Sequence, residues 1–452
     1  MKKIFLLIMA LSLACLSVLA ENAQPSFQDL KEINISMKAE IVKYNAFSGK
    51  TLKAIKQWAE DAKAEIHIKG DEYFTELYYK DSPLMLYYKD GQGFQVDNTH
   101  YYEGTDEDFY RLLGAQDPLN KYRNIKAVLD AAPNMLENLC LSMIDIAETK
   151  KGGNAIKKLV KPAETQVFAV DGRTLNGFWQ NALMNFKESL IINSAEESFA
   201  EDFLNKLKAV RFEDKCTVRQ FVKEDGSPFA WRFNGFALIG GSDKRKTSMT
   251  FGRTQEGLYL KLNMPAARGK NKLDINIAGS LKDGKLLTDG NFALRDEENN
   301  TSGRFDVSLN MLSGLKGKID CKIKRKGEKE KRYLIRPALE MDHQNISGKI
   351  AYKHSEGDRE TSLNFTIAEA GNKQFKRSQS IVKVAGLNES NLALERENIA
   401  RALSRPLTAL ISDVAQEQRA VVLHDITRLF RLTDNNNQRF NIPKYTVVQE
   451  EP

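Results

Sequence analysis

The sequence predicts an α+β protein made mainly of antiparallel β-meanders, and three observations carry that prediction. Between residues 216 and 384, apolar side chains recur at every second position: Leu273, Ile275, Ile277; Phe305, Val307, Leu309; Ile346, Ile350, Tyr352; Leu363, Phe365, Ile367. This is the period of a sheet with one buried and one wet face. The strands follow one another with no crossover helix, and turn chemistry such as Lys282-Asp283-Gly284-Lys285, residues 298–303 and residues 355–358 separates them. That arrangement excludes a βαβ fold and favours an antiparallel meander. The period then switches to helical spacing in two blocks, 105–213 and 387–434.

The expected organisation is therefore a small meander with one helix at 21–104, a helical segment at 105–213 and a larger sheet at 214–386. C-terminal helices at 387–434 and a loose polar tail at 435–452 complete it. Residues 1–20 read as an export leader: Lys2 and Lys3, an apolar run over 4–18, then Val18-Leu19-Ala20 before Glu21. The run is short for a membrane-spanning helix. Cys15 departs from a lipidation box, because Ser12 stands where that motif prefers Leu.

Taken in order, Ile33, Ile35, Met37, Ala39 and Ile41 mark a first strand over 32–44. Leu52, Ile55, Ala59 and Ala62 mark an amphipathic helix over 51–64, and a strand follows at 65–69. Leu77-Tyr78-Tyr79-Lys80-Asp81 and Leu86-Tyr87-Tyr88-Lys89-Asp90 are near-repeats punctuated by Ser82-Pro83 and Gly91-Gln92-Gly93, so they read as successive strands. With Tyr101-Tyr102 they make three doublets, each sending one ring to each face of the sheet. The helical block divides into 106–113, 135–149, 174–192 and 195–207. Asp171 or Thr174 is placed to cap the third of these, and Ser194, with Glu197 three residues on, to cap the fourth. At the C-terminal end, helices are expected over 391–415 and 416–432, with Pro406 at a kink or a first turn.

Composition is that of an ordinary folded protein: 452 residues, 42 % apolar and 28 % charged, with a formal net charge of +7. This mild bias is no nucleic-acid footprint. The densest basic run, residues 322–332, straddles a predicted hairpin tip. It reads either as a solvated turn with edge-protecting lysines or as peripheral contact with an anionic membrane or polymer surface. Past the leader three cysteines remain, too few for a disulfide scaffold. Cys140 reads as a buried thiol, whereas Cys216 and Cys321, both in strands, are candidates for a disulfide.

No stretch carries a catalytic or cofactor signature. His67, His100, His343, His354 and His424 form no metal-spaced pair. The glycine-rich stretch 240–247 has Arg245 where a phosphate loop needs glycine, and a strand follows it where such a loop needs a helix. Residues 434–438 begin like a calcium loop but lack its glycine, and Tyr445 replaces the closing glutamate. No cofactor and no metal are expected.

The strand 33–41, the helix 51–64 and the meander holding Leu77-Tyr78-Tyr79 and Leu86-Tyr87-Tyr88 together resemble the periplasmic lipoprotein carriers over residues 30–103, with a second such sheet at 216–384. The resemblance implies an open, curved sheet that cups an acyl chain beneath helical lids. The function expected on this basis is that of an exported, non-catalytic bacterial envelope protein, periplasmic or extracellular. It would bind a lipid or an acylated ligand in an apolar concavity between sheet and helix. Tyr78, Tyr87, Trp58 and Trp179 are the candidate lining residues, and the same four also suit an ordinary sheet–helix core. One alternative is a structural module whose tyrosine doublets and lysine-rich hairpin contact cell-wall polymer or another envelope protein. A hydrolase without a recognisable motif is the third reading.

Overall fold

A computed structural model describes residues 32–44, 49–97, 99–113, 120–239, 243–265, 272–282, 285–295, 298–310, 313–342 and 345–431. The expected leader 1–20, the tail 435–452, the calcium-like stretch 434–438 and the tip of the glycine-rich stretch (240–242) lie outside the described residues. The chain is mixed α+β, with a large, mostly antiparallel sheet, and it divides into two units: residues 117–358, and residues 31–116 with 359–452.

In the first unit twelve strands follow one another as a continuous antiparallel meander. They are β7 (Ala147–Lys151), β8 (Glu164–Asp171), β9 (Arg211–Val222), β10 (Pro228–Ile239), β11 (Asp243–Arg253), β12 (Gly257–Pro265), β13 (Lys272–Lys282), β14 (Lys285–Arg295), β15 (Asn299–Asn310), β16 (Gly314–Arg325), β17 (Lys331–Asp342) and β18 (Asn345–Glu356). The alternating pattern sends Leu273, Ile275, Ile277, Phe305, Val307, Leu309, Ile346, Ile350 and Tyr352 to one face, as the period-two spacing requires. Phenylalanines on this face lie over glycines of the neighbouring strand. A Cβ on Gly290 would stand 2.6 Å from the Phe305 ring, and one on Gly303 would stand 2.5 Å from Phe292, so only glycine admits the rings.

Four helices belong to this unit: α3 (Asn120–Leu141), α4 (Gly172–Ala182), α5 (Phe186–Ile192) and α6 (Glu197–Lys208). Their apolar sides, including Leu136, Leu139, Leu175, Leu183, Leu190 and Leu204, bury the β8–β15 part of the apolar face in one core with Phe168, Val218, Trp231, Phe251 and Phe305, and Ile319 of β16 packs against its edge.

The second unit holds β1 (Glu32–Tyr44), β2 (Ala62–Lys69), β3 (Glu72–Tyr79), β4 (Ser82–Lys89), β5 (Gly93–Val96), β6 (Tyr101–Glu103), β19 (Arg359–Glu369) and β20 (Ile381–Lys383). The strand order is β19-β1-β2-β3-β4-β5-β6-β20, antiparallel except for the β6–β20 pair. Helices α1 (Gly49–Asp61), α2 (Asp106–Leu113), α7 (Glu389–Ser412) and α8 (Gln416–Arg431) belong with it.

Several expectations are corrected. The division into separate small and large sheets fails, because β19 pairs along β1 and β20 along β6, so strands from both stretches share one sheet. The segment 105–213 is not wholly helical: β7 and β8 lie inside it and extend the meander from β9. The helix expected over 135–149 starts at Asn120 and runs through Pro133, because Leu129, Ala131, Leu136, Leu139 and Cys140 bury a stripe that outweighs the proline penalty. It stops at Leu141, and Ala147 opens a strand. The helix expected over 174–192 is two, broken after Ala182. Asp171 does cap the first of them, its Oδ1 accepting from Thr174 N at 3.0 Å. Ser194 does not cap α6. Its φ of 68° is left-handed, and its N–H donates back to Ile191 O, so it closes α5 instead. The helix after β1 ends at Asp61, because 62–69 alternates faces as a strand. Residues 299–303, expected as a turn, open β15. Pro406 sits inside α7, buried and without breaking it.

Cys140, Cys216 and Cys321 are all free and buried. Six strands stand between Cys216 on β9 and Cys321 on β16, on the order of 30 Å along the sheet. A disulfide needs Cα atoms within about 7 Å, so the expected pairing is not made.

Candidate functional site: an apolar sheet face beyond the helices

In the first unit the inward positions of β17 are Tyr333, Ile335, Pro337, Leu339 and Met341, and those of β18 are Ile346, Ile350, Tyr352 and His354. None of these shares in the core that the helices bury. Tyr333 packs with Phe292, Cys321, Ile275 and Ile319, a cluster made of strand residues alone. Ile335, Leu339, Met341, Ile346, Ile350 and Tyr352 are each part-exposed, whereas Phe251, Ile277 and Phe305 under the helices are buried. The outward residues of the same strands, Arg336, Glu340, Lys349 and Lys353, are exposed, so the inward face is apolar by sequence pattern and, among the described residues, part-exposed beyond the helix-covered core.

One end of this face is polar. Tyr333 and His354 stack with ring centroids 4.7 Å apart, and His354 Nε2 is buried without a hydrogen-bond partner. Burial lowers the His354 pKa, so the ring is neutral. Beyond it Lys331 lies 3.2 Å from Glu356. Nine residues of β17, from Tyr333 to Met341, span roughly 26 Å. One leaflet of a bilayer core is about 15 Å thick, so the face is long enough for a whole acyl chain with its polar end at His354.

The second unit carries a similar face. Ile33, Ile35 and Met37 of β1, Ile66 and Ile68 of β2, and Leu363 and Phe365 of β19 share one side of the sheet and are part-exposed.

The four residues singled out by sequence do not form one site. Trp58 is buried with Tyr79, Leu410, Ile411, Val414 and Val422, where α1 meets α7 and α8. Trp179 is buried in the core of the first unit, its Nε1 donating to Leu207 O at 3.0 Å and its ring edge-on to Phe212. Tyr87 is part-exposed, its ring near Tyr73 (5.9 Å) and Phe94 (6.3 Å). Tyr78 is on the opposite face of the sheet from Tyr87 and buried. Tyr87 also packs against the core that β5 and β6 share with α2 and α7, so ordinary core packing accounts for Trp58, Trp179 and Tyr87, and an overlying segment covers Tyr78.

Tyr78 lies beneath residues 370–380, a strap expected to belong to the larger sheet (214–386) that instead crosses the second unit's sheet without regular structure. Lys373 donates to Glu76 at 2.6 Å and to the Tyr78 hydroxyl, and lies 3.6 Å from Glu65. Phe375 sits against Phe74 (5.4 Å) and Tyr88 (4.3 Å). Arg377 covers the Tyr101 ring at 5.0 Å, and Ser378 N donates to Gln95 Oε1 at 2.8 Å. Burial and the Glu76 hydrogen bond push the Tyr78 pKa up to about 12. Burial also favours a neutral Lys373, but its bonds to Glu76 and Tyr78 outweigh that and raise its pKa. Two carboxylates do converge here, but on a lysine and a tyrosine that occupy them.

Among the described residues no group of three metal-ligating side chains comes together. A shallow cavity of about 430 Å³ on the helices of the first unit is lined by Asn138, Leu141, Ser142, Asn181, Ala182, Met184 and Asn185, none of them titratable. No protein-family model, no curated protein and no solved structure matches the chain.

Proposed function

We propose that this is an exported, non-catalytic envelope protein that holds the acyl part of a lipid or acylated ligand against the part-exposed inward face of β17 and β18. The observation that carries the reading is the mismatch between pattern and cover. Every inward position of β17 from Tyr333 to Met341 is apolar or aromatic, yet the core that α3–α6 bury reaches β16 and takes in no residue of β17 or β18. Burying each acyl methylene there contributes about 0.8 kcal/mol. The unpartnered His354 Nε2 and the Lys331–Glu356 pair suit the polar end of such a ligand. The leader-like residues 1–20 and the resemblance of the β1–α1–meander order to lipoprotein carriers support export and the same ligand class. The reading in which exposed tyrosine doublets contact an envelope polymer lacks such support, because Tyr78, Tyr79, Tyr88, Tyr101 and Tyr102 are buried.

Mass spectrometry of organic extracts from the purified protein is the test. A lipid or acylated species retained in stoichiometric amount is expected. A protein that emerges clean and stays clean after incubation with its host's lipid extract would sink the proposal.

A further inference from the structure

The basic run 322–332 divides in the structure. At the hairpin tip the charges are internally paired: Arg325 lies 3.6 Å from Glu328, Lys329 3.8 Å from Asp358, and Lys331 3.2 Å from Glu356. The surplus runs instead down the outward face of the strands. The antiparallel registers of β16, β17 and β18 place residues 316–324 (even), 332–340 (even) and 347–355 (odd) on that face. Its charged residues are eight cations and two acids. The resulting surplus of six compares with +7 for the whole chain. One of the two acids, Asp320, is taken by Arg332 at 2.7 and 2.9 Å. Lys316, Lys322, Lys324, Arg336, Lys349 and Lys353 are exposed.

The geometry points to this outward face as a docking surface for an anionic membrane, with phospholipid headgroups as the ligand. The cations form a sheet-borne grid, about 5 Å between strands and 7 Å along them, which presents many charges to a plane. Each cation near an anionic bilayer surface contributes to an additive attraction. Single-stranded nucleic acid is the weaker fit, because none of the outward positions on these strands carries an aromatic side chain on which a base could stack. The inference concerns the opposite side of the strands from the apolar face and stands whether or not that face holds a ligand.

Co-sedimentation of the full-length protein with vesicles tests it, comparing pure phosphatidylcholine with vesicles in which a third of the lipid is phosphatidylglycerol. Neutral and anionic vesicles offer the same acyl chains, so the comparison separates headgroup docking from acyl binding. Binding to the anionic vesicles alone is expected, and high salt should abolish it. Combined Lys324→Glu, Arg336→Glu and Lys349→Glu should weaken it by about a hundredfold or more. The same charge change at the exposed Lys53, Lys56 and Lys208 should alter it little, and circular dichroism of both variants should match the parent. Failure to sediment with anionic vesicles at low salt would overturn the inference. So would undiminished binding by the strand variant, or retention on heparin or single-stranded DNA without vesicle binding.

Discussion

Tyr102 is fully buried, and its hydroxyl donates to Glu395 at 2.8 Å across the core shared by β5, β6, α2 and α7. Tyr102→Phe keeps the ring but leaves a buried carboxylate short of a donor, which costs about 1–3 kcal/mol; chemical denaturation should report the loss, and an unchanged midpoint would refute the role. Asp320 is held by two hydrogen bonds from Arg332, which lower its pKa below the ordinary 3.8. Its contribution is therefore full above that value and disappears as the pH falls through the lowered folded pKa. Asp320→Asn should cost about 1–2 kcal/mol at neutral pH and flatten the acid limb of a stability–pH curve; an acid limb identical to the parent's would contradict this. The three thiols differ in kind from such pairs. Burial raises the pKa of all three, to about 12 for Cys140 and about 11 for Cys321. Thiol reagents should leave them untouched in the native protein and titrate all three after denaturation; a disulfide mass would contradict the sheet register.

Strand existence was legible in the sequence wherever one face was apolar: Glu32–Tyr44 matches its predicted bounds, and each of the tyrosine doublets divides between the two faces as period two demands. Helix ends were less legible, because what fixes them is tertiary. The stripe through Pro133 is apolar only when read against the strands that bury it, and Ser194 reads as a cap until its left-handed backbone is known. The strap 370–380 has no period at all. Its side chains are chosen one by one for partners far away in the chain: Lys373 for Glu76, Phe375 for Phe74 and Tyr88, Arg377 for Tyr101. Phe375→Ala should remove its central anchor at a cost of about 2 kcal/mol and speed tryptic cleavage after Lys376 or Arg377 several-fold. A cleavage rate equal to the parent's would mean the strap is held elsewhere.

At the scale of the molecule the candidate site was half legible. Period two marked Ile346, Ile350 and Tyr352 of β18 but left the inward residues of β17 unread, and nothing in a linear pattern says where helices stop covering a sheet. Trp58 and Trp179 were therefore indistinguishable from ligand contacts, and both are core. The two sides of β17 and β18 now carry different proposed tasks: an apolar inward face for an acyl chain and a basic outward face for a membrane.

Titration of the protein with a fluorescent fatty acid, in parallel with Ile350→Glu, tests the central claim most directly. Ile350 is part-exposed on the inward face of β18, so the fold should tolerate the substitution while the acyl site should not. Saturable binding by the parent, weakened roughly ten- to a hundredfold in the variant, is the predicted result. No binding by the parent, or equal binding by both, would contradict an acyl site on β17 and β18.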